Sequence, residues 1–354
     1  MNVFNDLYSM LPEELEEFVK SIGEPKFRAK QIFSALHAGV AIDEITTLSK
    51  SLRQKLTDMT VDTLPKVEMK LTSRIDGTVK YLFKLYDGAC IESVFMRYKH
   101  GNTLCISTQV GCRMGCRFCA STLLGRERDL LPSELVGQII AAERDSGERI
   151  SNVVMMGIGE PLDNYDNVIK FLRLVNHEWG LNIGYRHISL STSGVVPGII
   201  NLADVDLPIT LSISLHASND IARSEIMPIN NKWNIKALLD ACVYYYSKTG
   251  RRISFEYTLI KGKNDSEADA VALAELLTRA FKGTSAPLHV NLIRVNEVKE
   301  TGFREGSTDS ANRFAAALEK RGVVATVRRR LGSDVNAACG QLRRSAVCDG
   351  ENNS

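Results

Sequence analysis

Strand-like and helix-like segments alternate along most of this 354-residue chain. Short runs rich in β-branched and apolar residues are each followed by a longer run of helical periodicity, which is typical of a parallel sheet with helices packed against it. The sheet of such an α/β fold is either open or curled into a barrel. Six strands are predicted in this series, at 103–109, 150–156, 187–191, 209–215, 253–259 and 288–294. The helices between them are predicted at 133–146, 164–179, 196–203, 234–249 and 267–281.

Different patterns flank this series. Three short amphipathic helices are predicted first, and an antiparallel hairpin around the turn Asp76-Gly77 follows with a third strand at 91–96. A last helix at 310–320 and a strand at 323–329 come after the series. The predicted division is 1–60, a helical accessory module; 61–100, a β-hairpin extension; 101–300, the α/β unit; and 301–354, a helix, a strand and a cysteine-containing loop.

The composition is that of an ordinary globular protein, with 44% hydrophobic and 24% charged residues. The net charge is only +2, so any RNA-binding surface has to be a local patch. No signal-like segment and no run of about 20 apolar residues is found, which predicts a cytoplasmic protein outside the membrane. Eight cysteines in a chain of this length favour reduced thiols that serve metal binding and catalysis, with Cys242 and Cys348 as bystanders.

Three cysteines lie in one short loop directly after the first strand of the series. Cys112, Cys116 and Cys119 have the spacing CxxxCxxC, and Gly115 lets the backbone turn between them. A structural zinc site takes four protein ligands, whereas a four-iron four-sulfur (4Fe-4S) cluster held by three thiolates keeps one iron open for chemistry. The count of three favours the cluster, and a zinc loop is the alternative.

Further polar residues follow the predicted strands at the ends where parallel α/β folds place their active sites. Gly157 and Gly159 are expected to allow close approach of the backbone to a ligand, and Glu160 to accept a hydrogen bond from an amine. The candidate segments at these strand ends are MMGIGEP (155–161), STSG (191–194) and SLH (214–216), and Asn296 follows the sixth strand.

The cysteine spacing, with Phe118 directly before the third cysteine, resembles the signature of the radical S-adenosylmethionine (SAM) superfamily. Together with the segments MMGIGEP, STSG, SLH, TLCISTQVGC and SDVNAACGQL, the sequence is similar to the RlmN methyltransferase family from about residue 5 to residue 344. This resemblance implies a partial (β/α)6 radical SAM barrel with a small N-terminal helical module and an antiparallel β extension.

The resemblance also implies cofactors and ligands. Cys112, Cys116 and Cys119 would bind a 4Fe-4S cluster, and SAM cleaved at that cluster would give a 5'-deoxyadenosyl radical. Gly159, Glu160, Ser191, Ser214, Leu215, His216 and Asn296 would contact SAM. The reaction would be methylation of carbon 2 of adenine in 23S rRNA at the peptidyl transferase centre and, in some members, in tRNA next to the anticodon.

Three further residues match the family's catalytic groups. Cys339 would accept a methyl group from one SAM, and a second SAM would supply the radical that removes hydrogen from that methyl. A radical route suits carbon 2 of adenine. This carbon is electron-poor and cannot act as a nucleophile toward a methyl cation donor, whereas a carbon radical can add to it. Glu92 would accept the ring proton, and Cys105 would release the RNA by attacking the sulfur of Cys339, forming a disulfide.

Several alternatives remain open from the sequence. Arg294 resembles the Cfr group, which modifies carbon 8 of the same adenine. An activase that installs a glycyl radical would share the cysteine loop but would not need Cys105, Cys339 and Glu92, and a zinc-binding RNA module would need a fourth ligand. A flavodoxin-like reductant and a monomer are expected, with RNA held by the N-terminal helices and the arginines at 328–330.

Overall fold

A computed structural model describes residues 5–295, 302–335 and 342 of the chain. These residues form twelve strands and ten α-helices. The strands are β1 (Lys66–Thr72), β2 (Val79–Lys84), β3 (Cys90–Tyr98), β4 (Gly101–Cys105), β5 (Gln109–Gly111), β6 (Arg126–Asp129), β7 (Asn152–Met155), β8 (Ile188–Thr192), β9 (Thr210–Ser214), β10 (Ile253–Leu259), β11 (His289–Arg294) and β12 (Val324–Val327). The helices are α1 (Pro12–Ser21), α2 (Phe27–His37), α3 (Lys50–Met59), α4 (Pro132–Ser146), α5 (Tyr165–Asn176), α6 (Val196–Val205), α7 (Asp220–Ile226), α8 (Ile235–Thr249), α9 (Glu267–Ala280) and α10 (Thr308–Glu319).

Ten of the strands form one sheet in the order β1-β2-β3-β4-β7-β8-β9-β10-β11-β12. Neighbouring strands among the first four are antiparallel, namely β1–β2, β2–β3 and β3–β4. From β4 onward, each strand in the sheet is parallel to its neighbour. The predicted hairpin extension and the predicted parallel series are therefore confirmed. Among the described residues β1 and β12 are the edges, so the sheet is not a closed barrel. The four-part domain division stays a prediction.

The two faces of the parallel sheet differ in polarity. On β10, the rings of Phe255 and Tyr257 pack against Phe281 and Phe314, which belong to the helical layer. Side chains alternate between the faces of a strand, so the polar residues of β10 point to the opposite, inner face. The sheet curls around this inner face. The evidence is that Arg328, directly after β12, donates to the sulfur of Met156, directly after β7, at 3.6 Å.

The strand predicted at 103–109 is interrupted in the structure. β4 ends at Cys105, and residues 109–111 form β5, which pairs antiparallel with β6 in a separate two-stranded sheet. The amide oxygen of Gln138 accepts from the backbone N–H of Ser107 at 2.8 Å, and the Ser107 hydroxyl donates to the Glu92 carbonyl at 2.6 Å. Because these side-chain bonds replace the strand ladder, the chain turns before the cysteines.

The predicted N-terminal helices are present and pack against the parallel unit. The carboxylate of Asp6 accepts from the Ser133 hydroxyl at the start of α4, at 2.7 Å. On α2, Phe33 stacks on His37 with ring centroids 4.0 Å apart and meets Trp179 edge-on. Within the described part of the chain, we find no helix with the length and apolar character that crossing a membrane requires.

Candidate functional site

The cysteine loop is fixed to the rest of the protein on two sides. Cys112 directly follows β5, and its N–H donates to the Gly125 carbonyl at 2.9 Å, while the N–H of Arg117 donates to the Ile226 carbonyl at the end of α7, also at 2.9 Å. Gly111 and Gly115 have φ of 80° and 74°, a region that favours glycine, and they make the turns of the loop. The loop geometry thus depends on both β6 and α7.

The thiols of the loop lie in a desolvated setting. Burial raises the pKa of Cys112 to about 12 and raises that of Cys116 far above its ordinary value. The neighbouring cysteines and the carboxylate of Glu160 act in the same direction. Deprotonated thiols therefore need a cationic partner here, and an iron–sulfur cluster supplies one.

The donor set suits a cluster better than a single ion. Within 5–295 and 302–335, no group of three or more His, Cys, Asp or Glu side chains is arranged to hold a metal ion. In a four-iron cluster each thiolate binds its own iron, so the three sulfurs need not converge on one point. Two buried hydroxyls beside the loop, those of Thr108 and Ser121, have no hydrogen-bond partner among the described residues. Three thiols in one loop, with unsatisfied buried hydroxyls in the flanking residues, fit a cluster and its ligand.

The glycines after β7 are required by packing between neighbouring loops. A Cβ at Gly157 would lie 2.5 Å from the Ile106 carbonyl oxygen. A Cβ at Gly159, whose φ is 111°, would lie 2.7 Å from the side chains of Gln109 and Thr108. We expected the backbone at these glycines to approach a ligand closely. In the structure it closely approaches the segment from Ile106 to Gln109.

Glu160 is buried, and its carboxylate is held by Ser193, the residue directly after β8. Oε2 accepts from the N–H and the hydroxyl of Ser193 at 2.6 and 2.8 Å, and Oε1 accepts from the N–H of Leu162 at 3.0 Å. Desolvation raises the pKa of Glu160. The side chain therefore links the ends of β7 and β8, and its bonds to N–H and hydroxyl donors favour the ionised form.

The ends of β8 and β9 lie side by side. Ser191 of β8 is in register with Ser212 of β9, and Ser214 is the last residue of β9. His216 follows with φ of 58°, and its Nδ1 accepts from the N–H of Thr258 at 2.9 Å, which leaves the ring hydrogen on Nε2. Burial lowers the pKa of His216 to about 3, so the imidazole is neutral at physiological pH.

One aromatic contact joins the cysteine loop to this strand end. The ring of Phe118, two residues after Cys116, meets the ring of His216 edge-on with centroids 5.0 Å apart. The predicted cluster ligands and the predicted SAM contacts at 214–216 therefore belong to one region of the protein.

Glu92 and Cys105 lie on the inner face of neighbouring antiparallel strands. Cys105 of β4 is in register with Val94 of β3 and packs against it, and Glu92 is two residues before Val94 on the same face. Glu92 forms an ion pair with Lys80 of β2 at 3.1 Å, with both side chains buried. Lys80 was not predicted as a site residue, although the apolar alternation around it places it on the face opposite Tyr81.

Two predicted site residues, Cys339 and Asn296, lie outside the described residues. The segment leading toward Cys339 is anchored on the β1–β2 turn. Asp334 accepts from the Ser73 hydroxyl at 2.7 Å, and Leu331 packs with Val94 and Cys105. No disulfide joins any two of the six described cysteines, and the predicted bond between Cys105 and Cys339 stays a prediction.

A cavity of about 310 Å³ opens at the other end of the parallel strands. It is lined by residues where these strands begin, among them Thr103, Asn152 and Ser189, together with Arg186 and Arg328. The lining also includes Met96 and Val154, which pack with Cys105, and one of the arginines predicted to contact RNA is Arg328.

Comparisons with known proteins agree with this geometry. Residues 106–274 match the family model of the radical SAM superfamily, and residues 5–61 match that of the ribosomal RNA large subunit methyltransferase N-terminal domain. A "probable dual-specificity RNA methyltransferase RlmN" of Alkaliphilus oremlandii is 55% identical over 340 residues, covering 96% of this chain and 97% of the relative. A protein of the same name from Clostridium botulinum (strain Eklund 17B) is 55% identical, with 95% of each chain covered.

A solved structure has the same fold. The crystal structure of a radical SAM methyltransferase from Sphaerobacter thermophilus superposes with a TM-score of 0.89 at 42% identity, covering 95% of this chain and 98% of the other. The superfamily uses a 4Fe-4S cluster and SAM, which confirms the two predicted cofactors. The chain belongs to the RlmN family of radical SAM methyltransferases.

Proposed function

We propose that this protein methylates carbon 2 of adenine in 23S rRNA at the peptidyl transferase centre and in tRNA next to the anticodon. The observation that carries the proposal is the inner face of β3 and β4, where Glu92 and Cys105 lie beside the anchored segment that leads to Cys339. The names of the relatives, dual-specificity RNA methyltransferases, support RNA as the substrate.

In this proposal the cluster is held by Cys112, Cys116 and Cys119. When bound, the cluster and SAM together supply a 5'-deoxyadenosyl radical. The residues that contact SAM are those at the strand ends, namely Gly159, Glu160, Ser191, Ser214, Leu215, His216 and Asn296. Burial of Glu160 and His216 keeps water from the region, and His216 acts as a neutral group because of its lowered pKa.

The inner face provides the other three roles. Cys339 takes the methyl group and carries it to the base. Glu92, which is paired with the ammonium of Lys80, accepts the ring proton. Cys105 then attacks the sulfur of Cys339 and a disulfide forms. The sulfur–carbon bond to the RNA breaks with its electron pair on the carbon, and that carbon takes up a proton to become the methyl group.

Chain connectivity supports the role of Cys339. Asp334 is bonded to Ser73 and to the N–H of Arg74 at 2.7 and 2.9 Å, and Cys339 is five residues further along. Five residues of extended chain reach at most about 18 Å. Cys339 therefore follows closely on a residue that is bonded to the β1–β2 turn, which supports the role proposed for its thiol.

Adenine must leave its stack for its carbon edge to reach the thiol of Cys339, so a flipped base and recognition through RNA shape and phosphates are expected. The N-terminal module, which matches the methyltransferase N-terminal domain, and exposed Arg329 are the proposed RNA contacts. Arg328 instead turns toward Met156, and Arg330 pairs with Glu305 at 2.8 Å. A cytoplasmic location, a flavodoxin-like reductant and a monomer complete the proposal.

The test uses anaerobically purified protein with its iron and sulfide counted. After incubation with SAM alone, peptide mass spectrometry is expected to find a methyl group on the peptide that contains Cys339 in the wild type and none in the Cys339→Ala variant. Methylated rRNA and tRNA are then digested to nucleosides and compared with 2-methyladenosine and 8-methyladenosine standards. An unmodified Cys339 peptide contradicts the carrier role, and the carbon 8 isomer alone contradicts the assigned position.

A further inference from the structure

A short helix, α7, lies between the cysteine loop and the ends of β8 and β9. The Ile226 carbonyl at its end accepts from the loop N–H of Arg117 at 2.9 Å. Cys116 and Phe118 of the loop pack against Ile226 and Met227. The helix is therefore in contact with the segment that carries the predicted cluster ligands.

The same helix contains Arg223, whose side chain is completely buried. Four of its five N–H groups are used, and each donates to an uncharged oxygen. The acceptors are the carbonyls of Leu215 at 3.1 Å, Ser214 at 3.1 Å and Ser193 at 2.7 Å, and the side-chain oxygen of Asn230 at 3.0 Å. One guanidinium thus holds the backbone after β8 to the backbone at the end of β9.

The buried charge at Arg223 is maintained at neutral pH. Burial lowers its pKa to about 10, and the nearby carboxylate of Asp220 opposes that decrease. Burying a charge that is held only by neutral oxygens costs free energy, and an apolar side chain would avoid that cost. Packing alone therefore does not explain why this position is an arginine.

Ser193 connects Arg223 to Glu160. Its carbonyl accepts from the Arg223 guanidinium, while its N–H and hydroxyl donate to the carboxylate of Glu160 at 2.6 and 2.8 Å. A shift of the Ser193 backbone would move the carboxylate as well. Arg223 consequently fixes the backbone at 214–215 directly. It fixes Glu160 indirectly, through Ser193.

We propose that Arg223 is a positioning residue for SAM, which aligns the backbone at 214–215 with the carboxylate of Glu160 so that both face one ligand. The inference rests on the proposed function, in which these residues contact SAM. Arginine suits the task because its planar fork addresses several acceptors in fixed directions, whereas a lysine ammonium has no such fork.

The test compares SAM dissociation constants of cluster-loaded protein by equilibrium dialysis. Arg223→Lys retains the charge and loses the fork, and we expect it to weaken SAM binding about 10-fold to 100-fold, as for other residues that orient a ligand-binding group. Asn230→Ala removes one acceptor and is expected to weaken binding less. Leu277→Ala, in the buried face of α9, is the matched control for lost stability and is expected to keep the wild-type affinity.

Iron content, thermal unfolding and the affinity for SAM are measured on the same samples. If Arg223→Lys and Asn230→Ala both bind SAM as the wild type does, or if Leu277→Ala weakens binding as much as they do, the positioning role is wrong. If the wild type carries a cluster and binds SAM but does not methylate RNA, the proposed function fails while the test of Arg223 still stands. If Arg223→Lys does not fold, Asn230→Ala decides.

Discussion

The ammonium nitrogen of Lys80 lies 3.1 Å from Oε2 of Glu92, and neither side chain is more than 1% exposed. The pair joins β2 to β3 on the inner face, where the proposed proton acceptor is located. Removal of one member of such a pair leaves the other charge buried without its partner, which costs more than the pair itself contributes. This asymmetry allows a sharp test.

Lys80→Met is expected to lower the free energy of unfolding by about 3–5 kcal/mol, because it leaves the Glu92 carboxylate buried without its ammonium partner. The matched control is Lys70→Met on the neighbouring strand β1. Lys70 pairs with Asp145 at 2.8 Å but is half exposed, so its loss should cost about 1 kcal/mol or less. Urea unfolding of both variants measures the difference, and equal losses would contradict the importance of burial.

His37 is expected to make stability depend on pH. Burial lowers its pKa to about 3, and neither ring nitrogen has a hydrogen-bond partner among the described residues. At a pH between about 6.5 and 3 the unfolded chain binds a proton at this position and the folded chain does not. The contribution of His37 to the free energy of unfolding is therefore fully present above pH 6.5. Between pH 6.5 and pH 3 it falls on acidification by about 1.4 kcal/mol per pH unit.

The variant His37→Phe tests this effect, since a phenyl ring can keep the stacking on Phe33. We expect the free energy of unfolding of the wild type, measured relative to the variant, to decrease between pH 6 and pH 4. His216 titrates in the same way in both proteins, so the difference isolates His37. A difference that does not change with pH would show that His37 keeps an ordinary pKa.

Substitution of a predicted cluster ligand should abolish iron binding. Cys119→Ala is expected to lose most of the about four irons per chain of a loaded cluster, because two thiolates do not retain it. Cys242→Ala is the control, since Cys242 is a fully buried thiol of α8 that is not among the predicted cluster ligands. Iron and sulfide assays with visible absorbance provide the measurement. Iron retained in Cys119→Ala, or lost in Cys242→Ala, would refute the assignment.

Gly159→Ala is expected to weaken both folding and SAM binding. Its φ of 111° disfavours any side chain, and the added Cβ would lie 2.7 Å from Gln109 and Thr108. Gly147→Ala shares the positive φ, at 70°, but has open space around it, so about 1–2 kcal/mol of backbone strain is its whole expected cost. Thermal unfolding and equilibrium dialysis with SAM measure both effects. Equal behaviour of the two variants would mean that the loop contact is unimportant.

The parallel sheet could be predicted from the sequence because each of its strands is an apolar run followed by helical periodicity. β6 could not, since its four residues RERD are all charged and show no alternation. The interruption of the strand at 103–109 was missed for a related reason. It depends on the amide of Gln138, which reaches Ser107 from 31 residues further along the chain.

The site residues divide in the same way. The cysteine loop and the strand-end segments are local patterns, so they could be proposed from the sequence without knowledge of the packing. The contact between Phe118 and His216 and the ion pair between Lys80 and Glu92 depend on tertiary packing and strand register. Arg223 lies in a seven-residue helix, which is too short for its periodicity to identify a buried face.

The bond between Asp334 and Ser73 has a consequence for the kinetics of the proposed reaction. A thiol tethered by five residues meets its targets at an effective concentration set by the tether and independent of the amount of protein. Each encounter of Cys339 with a methyl donor, with a base and with Cys105 is then intramolecular within the enzyme or its complex. Lengthening the tether dilutes all three encounters together, whereas a change at Cys105 affects the last one alone.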